Sequence, residues 1–261
     1  MSEVHRGDLH DGVYIVTGGS KGFGLAIAKA LVECGARVGL ISRSQAGLDA
    51  AVEILGAENA LGLAADVASR DALQGAFSAI KDHFGRLDGL VNNAGLAMPN
   101  AVEKLVEEDV VTQVNTNFLG TVFACQLAIP MLRGAQNPRI INISSASAWH
   151  YDEMCHLSIY ASTKAAVERF TRDLRTEVQI DGIGVTCVRP GGALTNFADG
   201  WDSEALTAGF NAWRDLGTYM DIGMDVAQVG KSVVYALAQP PGVAVDLLEI
   251  RPNVRCEKPE L

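Results

Sequence analysis

The chain is short of the residues that build metal centres, disulfide frameworks or nucleic-acid grips. It has five cysteines in 261 residues, Cys34, Cys125, Cys155, Cys187 and Cys256, odd in number and scattered. No zinc pattern or disulfide pairing can be assembled from them, so they read as reduced thiols in a cytoplasmic protein, most of them small buried hydrophobes. Cys155 alone is placed to line a pocket. Basic residues are outnumbered, 21 to 31, for a net charge of −10, which argues against nucleic acid or an anionic membrane as partner. The amino terminus, Met1 to Asp11, is polar and lacks the apolar centre of a signal peptide. One stretch, Val110 to Leu132, is free of charge and long enough to raise the membrane question. It carries Gln113, Asn115, Thr116, Asn117 and Gln126, which hydrocarbon would penalise, and reads as a helix buried in protein. Internal repeats, low-complexity tracts and proline-rich linkers are missing too, so residues 1–261 read as one domain.

What is present is an alternation. Apolar runs at Gly12–Thr17, Arg37–Ser42, Ala60–Ala64, Gly89–Asn92, Arg139–Ser144, Gly184–Arg189 and Val245–Ile250 predict buried strands. Between them, 25–34, 48–55, 70–84, 110–132 and 160–178 predict helices. Strands and helices in turn, with short connections, imply an α/β fold whose parallel sheet is covered on both faces.

After the first strand comes Thr17-Gly18-Gly19-Ser20-Lys21-Gly22-Phe23-Gly24. Glycines 18, 22 and 24 allow a sharp turn, close approach of a pyrophosphate, and tight packing of helix on strand. The following helix amino terminus then faces the phosphates. The turn is read as a dinucleotide site in which Ser20, Lys21 and Phe23 also take part. At the end of the second strand an acid would bind a ribose 2′-hydroxyl, whereas an arginine accepts a 2′-phosphate. The chain has Ser42-Arg43 there and no acid before Asp49, with Lys21 as a second cation, which favours NADP(H) over NAD(H). Asp66, with Val67 beside it, can accept from an adenine amino group or simply cap the next helix.

Tyr160-Ala-Ser-Thr-Lys164 sets a phenol and an ammonium on one helical face. A charge about 4 Å from the phenol, at an effective dielectric near 20, favours the phenolate by roughly 4 kcal/mol. That is about three pKa units, enough to bring a tyrosine into range for acid–base work.

Together these motifs resemble the short-chain dehydrogenase/reductase family. The matching pieces are Thr17-Gly18-x-x-x-Gly22-x-Gly24, Asn92-Asn93-Ala94-Gly95, Asn117 in Asn-Phe-Leu-Gly, Ser144-Ser145, Tyr160-x-x-x-Lys164 and Pro190-Gly191, in the family's order. The resemblance implies a Rossmann-like domain with a seven-stranded parallel sheet that interconverts alcohols and carbonyls with NAD(H) or NADP(H). It implies Tyr160 as the acid–base residue and Lys164 as the group that lowers its pKa and holds the nicotinamide ribose. Asn117 would fix a proton-relaying water, and Ser145 would hydrogen-bond the substrate oxygen. Asn93, Ala94 and Gly95 would support the cofactor, and Thr195, after Pro190-Gly191, would touch the nicotinamide amide. The resemblance also implies a homodimer or homotetramer, for which Ala166, Phe170, Leu174 and Val178 form an apolar stripe.

The chain departs from the family pattern in two places. Fifteen residues separate Ser145 from Tyr160, against the usual thirteen or so, which Ser147 would restore; Ile143-Ser144-Ser145 is the better local match. The carboxyl end reads Glu249-Ile-Arg-Pro252 in place of a glycine pair. The lengthened loop brings Trp149, His150, Tyr151 and His156 toward the substrate. The aromatic segment Asn196–Gly223, with Phe197 and Trp201, follows a strand end and is expected to act as a lid, with Gly192 at its root. With no arginine clearly placed to clamp a carboxylate, though Arg189 and Arg214 are available, the expected substrate is a neutral, partly apolar ketone or alcohol: cyclic, aromatic or steroid-like. The alternatives are a small 3-hydroxy acid or a 3-oxoacyl compound, or a dinucleotide sensor without catalysis.

Overall fold

The computed structural model describes residues 9–151, 154–193, 195 and 197–258. Most of the polar amino terminus, Asp152 and Glu153 of the lengthened loop, and Asn196 at the start of the expected lid lie outside them.

The apolar runs become strands β1 Val13–Thr17, β2 Arg37–Ser42, β3 Ala60–Ala64, β4 Gly89–Asn92, β5 Arg139–Ile143 and β6 Gly184–Pro190. The intervening helices are α1 Gly22–Glu33, α2 Gln45–Leu55, α3 Arg70–Phe84, α4 Glu107–Val114, α5 Gly120–Leu132 and α6 Ser158–Val178. Beyond β6 come α7 Ser203–Asp215, β7 Tyr219–Asp221, α8 Val226–Leu237, β8 Leu247–Ile250 and β9 Arg255–Glu257. Seven strands form one sheet in the order β3-β2-β1-β4-β5-β6-β8, every pair parallel. The order reverses between β1 and β4, and a parallel α/β sheet leaves its ligand crevice at the carboxyl ends of strands beside such a point.

Alternate residues of β1 feed opposite faces. Tyr14 and Val16 join α1, α2 and α8 on one side, and Val13 and Ile15 join α3, α5 and α6 on the other. This is why the central strand is buried at all five positions.

Three segments differ from expectation. The charge-free helix begins at Glu107 and is broken by a π-helical turn at Asn115–Leu119. The turn widens the helix at Asn117, and such bulges gather at functional sites. Helix α8 is not among the expected helices; it covers α1 so closely that a methyl group on Gly230 would stand 2.6 Å from the Ala26 carbonyl oxygen. A signal was available: Asp225 Oδ1 caps α8 by accepting from the Ala227 amide at 2.9 Å, and Val229, Val233 and Leu237 share one buried face. Finally, β7 and β9 form a small antiparallel pair that ties the segment after α7 to the carboxyl end. No helix among the described residues is long and apolar enough to cross a membrane.

Candidate active site

A cleft of about 560 Å³ runs along the carboxyl ends of the central strands. At one end it is walled by the glycine turn. Gly18 and Gly22 take positive φ, 66° and 55°, a region costly for any residue with a side chain. Gly18 is fixed from below, its amide donating to the Ile41 carbonyl at 2.7 Å. Nothing stands within 4 Å of where a side chain on Gly22 would project, so that face is open for a ligand. Gly24 does not line the cleft. It lies beneath the turn, where a methyl group would overlap the Gly18 carbonyl and crowd the Asn93 amide. Asn93 holds the turn in place: its Nδ2 donates to the Thr17 and Gly18 carbonyls at 3.0 and 3.3 Å. The Asn93 and Ala94 amides donate to Thr17 Oγ1 at 3.0 and 3.1 Å.

Ser20, Lys21 and Phe23 line this end with Ser42, Arg43, Asp66 and Val67. Asp49 stands on α2, held by Gln45 at 2.8 Å, and Asp66 is the one carboxylate on the wall among the described residues. Asp66 Oδ1 accepts from the Ala68 amide at 2.9 Å, a local turn, while the α3 cap is Ser69. Lys21 Nζ lies 3.6 Å from Asp199, both well exposed. A nicotinamide dinucleotide fits this donor set: an open glycine turn at the start of a twelve-residue helix, two cations beside the second strand, and polar backbone at Asn93–Gly95.

At the middle of the cleft α6 presents Tyr160 and Lys164, both nearly buried. Lys164 Nζ donates to the Ile143 carbonyl at 2.9 Å and sits 5.8 Å from the centre of the Tyr160 ring. Burial pulls the Lys164 ammonium down to about 8. Asn117 does not reach the cleft. It stands one layer behind, accepting from the Leu96 amide and donating to the Leu96 carbonyl, both at 2.8 Å, and donating to Thr163 Oγ1 at 3.0 Å. Asn117 Oδ1 and Lys164 Nζ flank the same side of Gly95, 3.3 and 3.2 Å from where a methyl group would be. Ser145 and Ser147 both line the cleft, with their hydroxyl oxygens 2.6 Å apart.

The far end of the cleft is only partly as expected. Pro190, Gly191, Gly192 and Thr195 line it, as do Phe197 and Trp201. The Phe197 ring is tilted against that of Tyr160, with centres 5.2 Å apart, and meets that of Trp201 edge-on at 5.7 Å. Trp149, His150, Tyr151 and His156 do not line it. Trp149 lies over the Arg189 guanidinium at 5.5 Å, and His150 Nε2 meets Glu249 at 2.7 Å. Tyr151 is 99% exposed. His156, at φ 63°, turns toward Gly209 of α7. Cys155 likewise lies outside the lining, and none of the five cysteines is in a disulfide. The apolar wall is made instead by Leu96, Met154, Leu157 and Ala193, which carried no sequence signal beyond their neighbourhood to the motifs. Arg189 is not available to an anion, since Glu168 and Glu249 both bind it, and Arg214 is on α7 outside the lining. No cluster of metal-ligating side chains occurs among the described residues.

Known proteins share this fold. The family model described as short chain dehydrogenase matches residues 12–205. An uncharacterized oxidoreductase of Staphylococcus epidermidis is 31% identical over 240 residues, 92% of this chain and 96% of that protein. A 3-oxoacyl-[acyl-carrier-protein] reductase of Bos taurus is 32% identical over 230 residues, 88% and 92%. Among solved structures, the closed form of a serine dehydrogenase complexed with NADP+ superposes with a TM-score of 0.79 at 27% identity, covering 92% of this chain and 94% of that one. The chain belongs to the short-chain dehydrogenase/reductase family, NAD(P)-dependent oxidoreductases that act on CH–OH groups.

Proposed function

We propose that the protein is an NADP(H)-dependent enzyme that interconverts a secondary alcohol and a ketone, with a neutral, partly apolar substrate. The observation that carries this is the distribution of charge along the cleft. Its cations are Lys21 and Arg43 at the nucleotide end and Lys164 beneath Tyr160, and the substrate end has aromatic and aliphatic walls with Arg189 already neutralised. A 2′-phosphate finds a partner at one end, whereas a substrate carboxylate finds none at the other.

A dinucleotide held at the glycine turn would supply or take up the hydride. The residues of this chain manage the oxygen. Tyr160 gives its phenolic proton to the carbonyl oxygen, or removes it from the alcohol in the reverse direction, and the Lys164 charge below makes the phenolate accessible. Ser145 donates to the same oxygen as negative charge builds there. Asn117 fixes the Leu96 backbone and Thr163 behind this pair and orders the route by which Lys164 exchanges protons with solvent. Phe197 and Trp201 sit on a lid, residues 196–223, that shields the reaction from water. The chain works as one domain, in the cytoplasm, as a homodimer or homotetramer. Val106, just before α4, and Val111 on it remain about half exposed, although Leu174 and Val178 of the expected stripe are used up in the monomer's own core. Sedimentation showing only monomer at micromolar concentration would remove the oligomer.

The test of substrate class is NADPH oxidation across ketones from small keto acids to steroids. Neutral cyclic or aryl ketones should have the highest kcat/KM, and saturable activity confined to short charged acids would refute the reading. The Bos taurus relative favours a second candidate, a 3-oxoacyl thioester, whose reacting end is also uncharged; the same panel includes one. A sensor without catalysis would bind NADPH and turn over none of them.

A further inference from the structure

Outside the cleft lies a run of charge that the mechanism does not use. Ser144 Oγ donates to Glu168 Oε1 at 2.7 Å. The Arg189 guanidinium grips both oxygens of Glu168, at 2.8 and 2.6 Å, and reaches Glu249 Oε2 at 2.7 Å. Glu249 Oε1 meets His150 Nε2 at 2.7 Å. The chain of contacts leaves the backbone one residue before Ser145 and returns to it five residues after. It closes a ring around the short 3-10 turn Ala146–Ala148, which Ser145 caps and which carries the Ser147 hydroxyl. Trp149, on the same turn, covers the guanidinium.

We propose that the Glu168–Arg189–Glu249–His150 ring is a clamp that aims the Ser145 hydroxyl at the substrate oxygen, with His150 as its positioning residue. The inference rests on the reading of Ser145 as the donor to that oxygen. Three features support it. The Arg189 side chain is 8% exposed and that of Glu168 15%, and charges so placed are retained only with near-complete pairing. Hydrogen bonds donated to Glu168 and Glu249 hold Arg189 well above the ordinary arginine range. Burial pushes Glu249 up, but Arg189 and His150 outweigh it and bring that carboxyl below its usual value. The clamp also spans the site: Arg189 leads directly into Pro190-Gly191 of the cleft wall, and Glu249 comes from β8. One guanidinium thus joins the serine turn to the loop expected against the nicotinamide. A second positioning element lies inside the ring. With the serine oxygens 2.6 Å apart, one hydroxyl donates to the other, and the Ser147 amide donates to Ser145 Oγ at 3.3 Å. These contacts limit the directions in which the Ser145 proton can point.

The experiment compares wild type with His150→Ala, which opens the ring at its end beyond Glu249, and His150→Gln, which restores a side-chain donor. Glu249→Gln serves as an independent break should His150→Ala fail to fold. Hydrogen–deuterium exchange at residues 145–151 reads the turn directly, because the Ala148, Trp149 and His150 amides donate to the Ser145 and Ala146 carbonyls. The expected result is at least tenfold faster exchange in that segment alone for His150→Ala, and wild-type exchange for His150→Gln. Alongside it, kcat on the best ketone should fall roughly tenfold with NADPH Kd and Tm unchanged, within the loss of up to about 10²-fold that a misplacement near 1 Å brings. Exchange and kcat both at the wild-type level in His150→Ala would overturn the clamp, as would an equal loss in His150→Gln. If the wild-type enzyme reduces no ketone, the functional reading fails, and the clamp still stands or falls on exchange.

Discussion

The two ends of the cleft are built from different materials. The nucleotide end is mostly backbone: a glycine turn whose φ angles and packing are held by Asn93 and Thr17, with few side chains that could be oriented otherwise. The reacting end is mostly side chain, drawn from α6, from the turn after β5 and from the segment beyond β6. Backbone shape is constrained by where glycine must stand, so the first end reads from spacing alone. Side-chain direction in a lengthened loop is decided by partners distant in sequence, so the second end does not.

The sharpest way to separate the ends is to remove one donor from the second. Ser145→Ala should lower kcat about 10²-fold, the typical cost of losing one oxyanion donor, and leave NADPH affinity within twofold. Ser147→Ala should cost less, since its hydroxyl acts through Ser145. Equal losses would make the two serines joint donors, and a larger loss at Ser147 would exchange their roles. The complementary cut is Arg43→Asp, which places an acid where a 2′-phosphate is expected. NADPH should weaken by roughly 10- to 100-fold, the scale of a lost charge-assisted contact replaced by repulsion, with kcat at saturation unchanged. NADH that binds tighter than NADPH in the wild type, and does not respond to this change, would contradict the cofactor preference.

A smaller effect links the ends through Lys164. Its pKa of about 8 in the folded protein, lowered by burial, means that the ammonium is lost from the free enzyme as pH rises through that value. The kcat/KM for ketone reduction should therefore fall above pH 8. The sign for stability is opposite. Between pH 8 and the unfolded value near ~10.4, the unfolded chain binds the extra proton, so this group's burial cost is relieved as pH rises and Tm gains a small positive contribution. A profile flat to pH 10 would mean that Lys164 stays charged despite its burial. The smallest effect belongs to Tyr151→Ala: a ring so exposed should leave every constant unchanged.

The seven strand segments and the positions of the glycine turn, Asn93 and the Tyr160–Lys164 pair were legible because each depends on local sequence pattern, backbone geometry or helical periodicity. Trp149 and His150 were not. An aromatic and an imidazole next to a catalytic serine look like substrate contacts, and only the fold shows Arg189 and Glu249, some 40 and 100 residues on, claiming them first. Asn117 was legible as a polar residue in an apolar helix, but its position behind Leu96 depends on the π-helical turn, which no local preference announces. Helix α8 was legible in principle, since its Asp225 cap and its buried face of Val229, Val233 and Leu237 are ordinary local signals.

The central claim is that one end of the cleft holds NADP(H) and the other moves a proton through Tyr160. It is tested most directly by measuring NADPH dissociation constant and ketone turnover side by side for the wild type and Tyr160→Phe. The account expects the phenylalanine variant to bind NADPH within about twofold of wild type and to lose on the order of 10³-fold in kcat, within the range of general acid–base catalysis. Turnover retained in Tyr160→Phe would contradict it.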